Sequence, residues 1–300
     1  MKISLGPIQY YWSRSDIVRF YDAIADSRVD IVYLGEVVCS KRHAIRLADW
    51  LDLARALRSQ GKEVVLSMLA MPETEADLRR MQSLADADGY LLEANDMSAV
   101  GLLAPRCKPF VAGPHINCYS APVLDWLTDL GASRWVAPIE CTRDTIAAID
   151  HHRASPAEIE YFVFGHAPLS FSARCFTARH HNLQKDQCGH RCADNPSGIN
   201  ASTLEGQPFI RLNGTQTQTA QVVNLAREID RFADAGISIL RIAPQALHTT
   251  EIANTFADLV QGTVEMDDGY RQLCELQDAA PCDGFWFGKP GVSATGHTGG

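Results

Sequence analysis

Residues 30–68 read DIVYLGEVVCSKRHAIRLADWLDLARALRSQGKEVVLSM. The stretch begins with a short apolar run, Asp30–Leu34, and continues through His43–Ser59, where isoleucine and leucine recur at helical spacing. Gly61 stands where that helix would end, just before a second apolar run, Glu63–Met68. Two strands joined by a helix run parallel in one sheet, so this stretch predicts a strand–helix–strand unit.

The same alternation recurs along the whole chain and gives eight strand–helix units. The predicted strands are Lys2–Gly6, Asp30–Leu34, Glu63–Met68, Gly89–Glu93, Phe110–Ala112, Trp135–Pro138, Ile159–Phe164 and Ser238–Ile242. The predicted helices are Ser15–Ser27, His43–Ser59, Glu73–Ala87, Met97–Leu103, Ala121–Leu130, Arg143–His151, Gln218–Ala235 and Leu247–Gln261. A doubly wound open sheet is the alternative, but Gly6–Tyr11, after the first strand, lacks the glycine-rich phosphate turn that such sheets usually carry. We therefore expect an α/β fold, a (β/α)8 TIM-like barrel.

One interval, 165–217, breaks this rhythm after the seventh strand. It is rich in cysteine, histidine, asparagine and arginine, has little helical periodicity, and is too apolar for simple disorder. A structureless loop of this length inside a compact domain is usually functional. We expect a cysteine-rich insert within a barrel domain of residues 1–264, and a C-terminal extension, 265–300, that ends in a frayed tail, Val292–Gly300.

Composition and charge narrow the possible partners and the compartment. The 300 residues carry 27 lysines and arginines against 36 aspartates and glutamates, a formal charge of −9, and no run of five basic residues. Nucleic-acid binders draw much of their affinity from clustered basic residues, so we expect no nucleic-acid partner. No apolar run approaches the ~18 residues of a membrane span, and the start, MKISLGPIQYYWS, lacks the apolar centre of a secretory signal. We expect a cytoplasmic protein whose nine cysteines are not a disulfide framework.

Three cysteines of the insert have the spacing Cys175-x12-Cys188-x3-Cys192. Their neighbours are charged, which favours a metal site over cysteines that only pack as small apolar groups. Structural zinc favours Cys-x-x-Cys pairs, which this chain lacks, so the spacing favours an iron–sulfur cluster over zinc. A fourth ligand is needed, and reactive groups of a barrel gather at the carboxyl ends of its strands. Three cysteines follow strands at that end, and the residues leave the choice among them open: Cys39, Cys118 and Cys141.

Several segments resemble the collagenase-like peptidase family. The segment 165–175, GHAPLSFSARC, is similar to the family signature Pro-Leu-x-x-Ser-x-Arg-Cys. Three further stretches, Gly6–Trp12, Gly35–Cys39 and Cys282–Gly291, resemble its UbiV branch, which acts in ubiquinone biosynthesis. The resemblance runs through nearly the whole chain, and the cysteine pattern is its most specific part.

The resemblance implies a [4Fe–4S] cluster held by Cys39, Cys175, Cys188 and Cys192. It further implies an oxygen-independent hydroxylase that works, as a heterodimer with a UbiU-like homologous subunit, on the ring of a polyprenyl ubiquinone precursor, with prephenate as the oxygen donor. Peptidase activity is not expected, because the chain has neither a His-Glu-x-x-His zinc helix nor a Gly-x-Ser-x-Gly elbow. Hydroxylation of RNA, which another branch of the family performs, and a non-catalytic supporting role for the cluster are the alternatives. The remaining cysteines receive no role: Cys107, Cys118, Cys141, Cys274 and Cys282.

Polar residues at the ends of the predicted strands are the candidates for the barrel mouth. Glu36 and His115 are the catalytic candidates, because charged or titratable groups at this rim of a barrel are often functional. Further candidates for the mouth are Glu93, Asn95, Asn117, Glu140 and His166. Hydrogen bonds to the sulfurs of a cluster would come from Arg174, His190 and Arg191.

Overall fold

The computed structural model describes residues 1–295, which form a series of strands and helices that mostly alternate. The strands of this part of the chain are β1 Lys2–Leu5, β2 Ile31–Leu34, β3 Glu63–Ser67, β4 Leu91–Ala94, β5 Phe110–Ala112, β6 Ala132–Val136, β7 Glu158–Gly165, β8 Pro168–Phe171, β9 Ile199–Ser202, β10 Pro208–Asn213, β11 Gln216–Thr219, β12 Val222–Asn224, β13 Ile237–Ile242 and β14 Pro281–Cys282. Its α-helices are α1 Arg14–Ala25, α2 Leu47–Ser59, α3 Glu75–Ala85, α4 Met97–Leu103, α5 Ala121–Asp129, α6 Arg143–His152, α7 Phe176–His180, α8 Ile229–Phe232, α9 Thr249–Gln261 and α10 Met266–Leu276.

Eight parallel strands close into a barrel. β1 to β7 pair in sequence order, and β13 pairs in parallel with both β1 and β7, which joins the two edges of the sheet. Lys2 aligns with Ile239 on one side of β13, and Tyr161 aligns with Leu240 on the other. The predicted (β/α)8 barrel is confirmed, and each of its eight strands overlaps a predicted one, although β6 begins at Ala132 rather than at the predicted Trp135.

The core has two layers, one on each side of the barrel wall. Alternate side chains of a strand point to opposite faces, so each strand contributes to both layers. The outer layer packs the strands against the helices and includes Leu34, Leu66 and Leu92. A smaller apolar cluster inside the barrel consists of Ile31, Tyr33, Val65, Val111, Val136 and Ile239.

The interval 165–217 is more ordered than its sequence predicted. A four-stranded antiparallel sheet, in the order β8, β11, β10, β9, follows β7, and α7 lies between β8 and β9. The low helical periodicity of this interval therefore reflects strands and not a lack of regular structure. β8 pairs with β11, which is distant in the chain, while β9, β10 and β11 are short neighbouring strands joined as hairpins. Such short strands leave little helical periodicity in the sequence.

The predicted helix Gln218–Ala235 is wrong. β11 ends at Thr219, β12 pairs antiparallel with β7 at Val223 and Gly165, and only the short α8 with flanking 3-10 turns remains helical. The apolar spacing of this stretch suits a helix, but the pairing of β12 with β7 and with β14 prevails.

The C-terminal extension packs onto the barrel through α10, β14 and the buried Trp286. The division at residue 264 stays a prediction. Within the predicted frayed tail, the backbone of Ser293 accepts hydrogen bonds from Asp283 and Gly284, while 296–300 lie outside the described residues. No α-helix in residues 1–295 has both the length and the apolar character needed to cross a membrane.

Candidate functional site

The four cysteines named above line one small cavity beside the barrel, hereafter the cysteine cavity. Cys39 follows β2, and the other three come from the segment between β8 and β9. Cys175 is the N-cap of α7, where its sulfur accepts from the backbone N–H of Ala178 at 3.4 Å. Cys188 and Cys192 lie on or beside two short 3-10 turns. The fold thus brings together thiols that are far apart in the chain.

Glu36 shapes the loop that carries Cys39. Its carboxylate accepts from the backbone N–H groups of Val38 at 2.9 Å and Cys39 at 3.0 Å. Burial raises the pKa of Glu36, while nearby Arg42 and these two N–H groups act in the opposite direction. Glu36 does not line the cavity at the barrel mouth, where the sequence had predicted it; its contacts position the loop instead.

Arg42 joins this loop to the four-stranded sheet. It is 5% exposed and donates to the backbone oxygen of Gln9 at 2.7 Å and to Oδ1 of Asn213 at 2.8 Å. Thr215 adds a second link by donating to the backbone oxygen of Val38 at 2.8 Å. The sequence analysis did not identify Arg42 as a site residue, although a basic residue three positions after a candidate ligand, Cys39, indicates such a role.

Three basic residues, Lys41, Arg42 and Lys185, line the cysteine cavity, and the two lysines are paired with Asp186 and Glu73. Burial raises the pKa of Cys39 to about 11, and it raises the pKa of Cys192 against the opposing influence of Arg42. A bare thiolate is therefore costly here, and a bound cationic group would be needed to hold these sulfurs ionised. Arg42, which lies within hydrogen-bonding reach of Cys192, would offset part of the remaining negative charge of a thiolate-bound cluster.

The three residues that were predicted to donate hydrogen bonds to the cluster sulfurs do not all lie at the cysteine cavity. His190 and Arg191 line the cysteine cavity, whereas Arg174 does not. The Nε2 atom of His190 lies 2.8 Å from the backbone oxygen of Lys41, and its ring stacks on Tyr11 with centroids 5.1 Å apart. These contacts fix the position of the His190 ring.

The donor chemistry of the cysteine cavity fits an iron–sulfur cluster, since the described lining supplies four thiols and basic neighbours. In residues 1–295, no three histidine, cysteine, aspartate or glutamate side chains approach one another closely enough to hold a metal ion as they stand. The cluster and its ligands stay predictions.

The other cysteines do not line this cavity. Cys118 and Cys141, the two alternatives for the fourth ligand, are buried, and burial raises the pKa of Cys118 to about 11 and that of Cys141 to about 12. Cys107 is exposed.

A second cavity, of about 220 Å³, lies at the carboxyl ends of the barrel strands and is partly covered by β8; this is the mouth cavity. Five of the predicted mouth residues line it: Glu93, Asn95, His115, Asn117 and Glu140. His115 stands edge-on to Phe171 with centroids 4.7 Å apart. Burial, together with the charge of Arg241, lowers the pKa of His115 to about 3, so this imidazole is neutral near pH 7.

The prediction that His166 belongs to the mouth is wrong. Its side chain is buried, with Nδ1 2.9 Å from the backbone oxygen of Thr219 and Nε2 2.8 Å from Oδ1 of Asp278. The same aspartate accepts from Arg211 at 3.0 Å. This network fastens the C-terminal extension to the four-stranded sheet.

Sequence reasoning also missed the charged residues beneath the mouth. Arg241 bonds through Nε to Glu160 at 2.7 Å and lies 2.8 Å from Glu93 through Nη1. Tyr33 and Ser4 each donate to Glu160 at 2.6 Å. A charged residue within an otherwise apolar strand, as in ISILRI of β13, is the signal that indicates such a site.

Comparisons with known proteins give the family. The solved structures that match include the U32 peptidase Mk0906, at 13% identity, a TM-score of 0.45 and coverage of 82% of this chain and 93% of that one. They also include a tryptophan synthase complex from Pyrococcus furiosus, at 9% identity, a TM-score of 0.44 and coverage of 92% and 98%. A third is a phospho-2-dehydro-3-deoxyheptonate aldolase from Thermotoga maritima, at 12% identity, a TM-score of 0.46 and coverage of 94% and 71%. The sequence profile of peptidase family U32 matches residues 17–294. The chain therefore belongs to peptidase family U32.

Proposed function

We propose that this chain is the iron–sulfur subunit of an oxygen-independent hydroxylase in anaerobic ubiquinone biosynthesis. It acts in the cytoplasm as a heterodimer with a UbiU-like homologous subunit and modifies the ring of a polyprenyl precursor, with prephenate as the oxygen donor. The observation that carries the cluster is that Cys39, Cys175, Cys188 and Cys192 surround one cavity with basic neighbours. The pathway rests on the resemblance of the chain to the UbiV branch.

In this proposal, the four thiolates hold a [4Fe–4S] cluster, which supplies electron transfer when bound. The chain's own residues set the conditions for that binding. Glu36 holds the backbone turn that presents Cys39, and Arg42 ties this turn to the four-stranded sheet. The Cys192 thiol lies within reach of the Arg42 guanidinium, which would partly offset its negative charge.

Substitution of one ligand tests the metal and the pathway together. A strain that lacks the gene for this chain would be grown without oxygen and would express one of three forms of it. These are the wild-type chain, Cys188→Ala and Cys107→Ala. We expect about four irons and four sulfides per chain after anaerobic purification with the partner, and loss of most of both in Cys188→Ala. Ubiquinone would fall with them in that strain, whereas Cys107→Ala, which changes an exposed thiol outside the cavity, would match the wild type.

Two results would contradict the proposal in different ways. Stoichiometric zinc without sulfide would overturn the cluster. A normal ubiquinone content in the deletion strain grown without oxygen would contradict the role in ubiquinone biosynthesis. It would favour RNA as the substrate. If the partner alone hydroxylates the precursor in vitro, this chain is a supporting subunit rather than part of the catalyst.

A further inference from the structure

Three buried polar groups that line the mouth cavity, Glu93, Asn95 and Arg241, each have an atom without a hydrogen bond. Arg241 is 4% exposed and Asn95 is 1% exposed, and both line the cavity. Within the described residues, Nη2 of Arg241, Oδ1 of Asn95 and Oε1 of Glu93 have no hydrogen-bond partner, although Oε1 of Glu93 forms an ion pair with Nη1 of Arg241 at 2.8 Å. Such atoms are costly to bury unless a ligand or water pairs with them. Because Arg241 already neutralises Glu93, Nη2 of Arg241 and Oδ1 of Asn95 are left as one donor and one acceptor for a ligand.

These two groups flank the same carboxylate. Nη1 of Arg241 lies 2.8 Å from Oε1 of Glu93, and Nδ2 of Asn95 donates to Oε2 of Glu93 at 3.0 Å. The amide of Asn95 is held with its nitrogen toward Glu93 and toward the backbone oxygen of Met68. This orientation leaves its oxygen as the acceptor, in the cavity that Arg241 also lines.

The charge of the mouth cavity selects against an anion. The guanidinium of Arg241 already faces two buried carboxylates, Glu93 and Glu160, and His115 is neutral near pH 7. A ligand carboxylate entering here would meet no uncompensated positive charge and would lose its hydration. A hydroxyl group, which both donates and accepts, suits the two unmatched atoms without bringing a charge.

Part of the cavity wall is apolar and offers contact surface for a ring. Aromatic and branched apolar side chains contribute to the lining, among them Phe162, Phe171, Val136 and Ile139. Engineered apolar cavities of about 150 Å³ accept benzene, so about 220 Å³ has room for a ring with a small substituent.

We propose that the mouth cavity of this chain binds a neutral phenolic ring, whose hydroxyl oxygen accepts from Nη2 of Arg241 and whose hydroxyl proton is donated to Oδ1 of Asn95. The inference rests on the proposed function, because a ring that is to be hydroxylated would be the natural occupant. It adds that the ring lies in this subunit, and that an anionic oxygen donor does not share these two contacts.

The test uses the full chain, purified without oxygen, and two small probes. Calorimetric titration would compare 4-methylphenol, which is neutral at pH 7, with 4-methylbenzoate, which is an anion of similar shape. We expect the phenol to bind and the benzoate to bind at least about tenfold more weakly, because burying its charge is costly.

Variants of the cavity residues test whether the phenol binds in the mouth cavity. Arg241→Lys keeps a positive charge beside Glu93 and Glu160 but removes the extra donor, and should weaken phenol binding about three- to tenfold. Phe171→Ala removes one wall and should weaken it by a similar factor. The matched control is Phe209→Ala, an exposed aromatic residue of the same four-stranded sheet, which should leave binding unchanged. Circular dichroism confirms that each variant is folded, and Phe171→Ala decides the outcome if Arg241→Lys is not.

The outcomes separate this inference from the proposed function. Equal binding of the two probes, no phenol binding, or phenol binding that Phe171→Ala leaves intact would each overturn the phenolic site. Iron and sulfide are measured on the same samples. A chain that carries the cluster but binds no phenol refutes only this inference, whereas a chain that binds phenol but holds zinc refutes only the cluster.

Discussion

Gly35 is a residue whose conformation fixes the position of a proposed ligand. It follows β2 with φ of +140°, and a Cβ atom at this position would lie 2.4 Å from the backbone oxygen of Ser67. The chain can therefore turn toward Glu36 and Cys39 only if this residue has no side chain. The sequence shows the glycine, but its necessity comes from β3, a neighbour in space that local patterns do not reveal.

Replacement of this glycine should disturb both stability and the cysteine cavity. Gly35→Ala is expected to lower the free energy of unfolding by about 2–4 kcal/mol, because it adds a backbone clash to an unfavourable φ. Gly61→Ala is the control, since Gly61 also has a positive φ, +83°, but no atom within 4 Å of the added Cβ. Its cost should be about 1 kcal/mol. Urea unfolding measures both, and equal losses would show that the contact with Ser67 does not matter.

At the scale of elements, regular units of the barrel were predictable and the long-range pairings were not. Ile159–Phe164 was predicted as a strand from its apolar run alone, and β7 contains it. β11, in contrast, reads QTQT and is buried along its whole length. Its Gln218 donates to the side-chain oxygen of Gln9 at 2.7 Å, across most of the chain. Apolar periodicity does not reveal a strand whose buried side chains are polar and bond to residues distant in the chain.

The attachment of the C-terminal extension should depend on pH. The hydrogen bond from His166, together with the charges of His166 and Arg211, holds the pKa of Asp278 well below its usual value, against the effect of burial. A lowered pKa in the folded state means that this stabilisation is complete above the unfolded value of about 3.9 and is lost as the pH falls toward the folded value.

Asp278→Asn should therefore lower the free energy of unfolding by about 1–2 kcal/mol at pH 7, a modest value because this side chain is half-exposed. The difference from wild type should shrink as the pH falls below about 4. Asp268→Asn, which removes a surface ion pair with Arg271, is the control and should change little. Urea unfolding across the pH range would contradict the assignment if the Asp278 difference were constant.

At the scale of the whole molecule, the barrel interior is layered along its axis. Arg134 pairs with Glu63 and Glu158 at the amino-terminal end, both at 2.8 Å. The next layer holds Tyr33 and the buried Glu160, and above them lies Arg241, over the Tyr33 ring at 4.0 Å. The mouth cavity follows. The sequence predicted that polar groups would meet at the mouth, because the carboxyl ends of barrel strands converge, but it did not indicate the charges that support them from below.

Among the charged residues of the barrel interior, Glu160 should be the one whose substitution lowers the free energy of unfolding most. Glu160→Gln leaves the buried Arg241 with one carboxylate partner fewer, and we expect a loss of about 3 kcal/mol in the free energy of unfolding. Glu158→Gln is the matched control, because Glu158 is a half-exposed partner of Arg134 and should cost less than about 1 kcal/mol. Thermal and urea unfolding compare the two, and equal costs would mean that the interior network does not behave as a buried one.

Closure of the barrel by β13 has a consequence for the order of events during synthesis. Every cysteine of the cysteine cavity precedes Ile237–Ile242, the strand that joins β1 to β7. At roughly 5–20 residues per second, translation from Cys192 to Ile242 takes on the order of several seconds. During that interval the nascent chain presents its four thiols before the barrel can close behind them. For the proposed cluster, the delivery of iron and sulfide would thus compete with elongation by the ribosome, as would premature oxidation of the thiols.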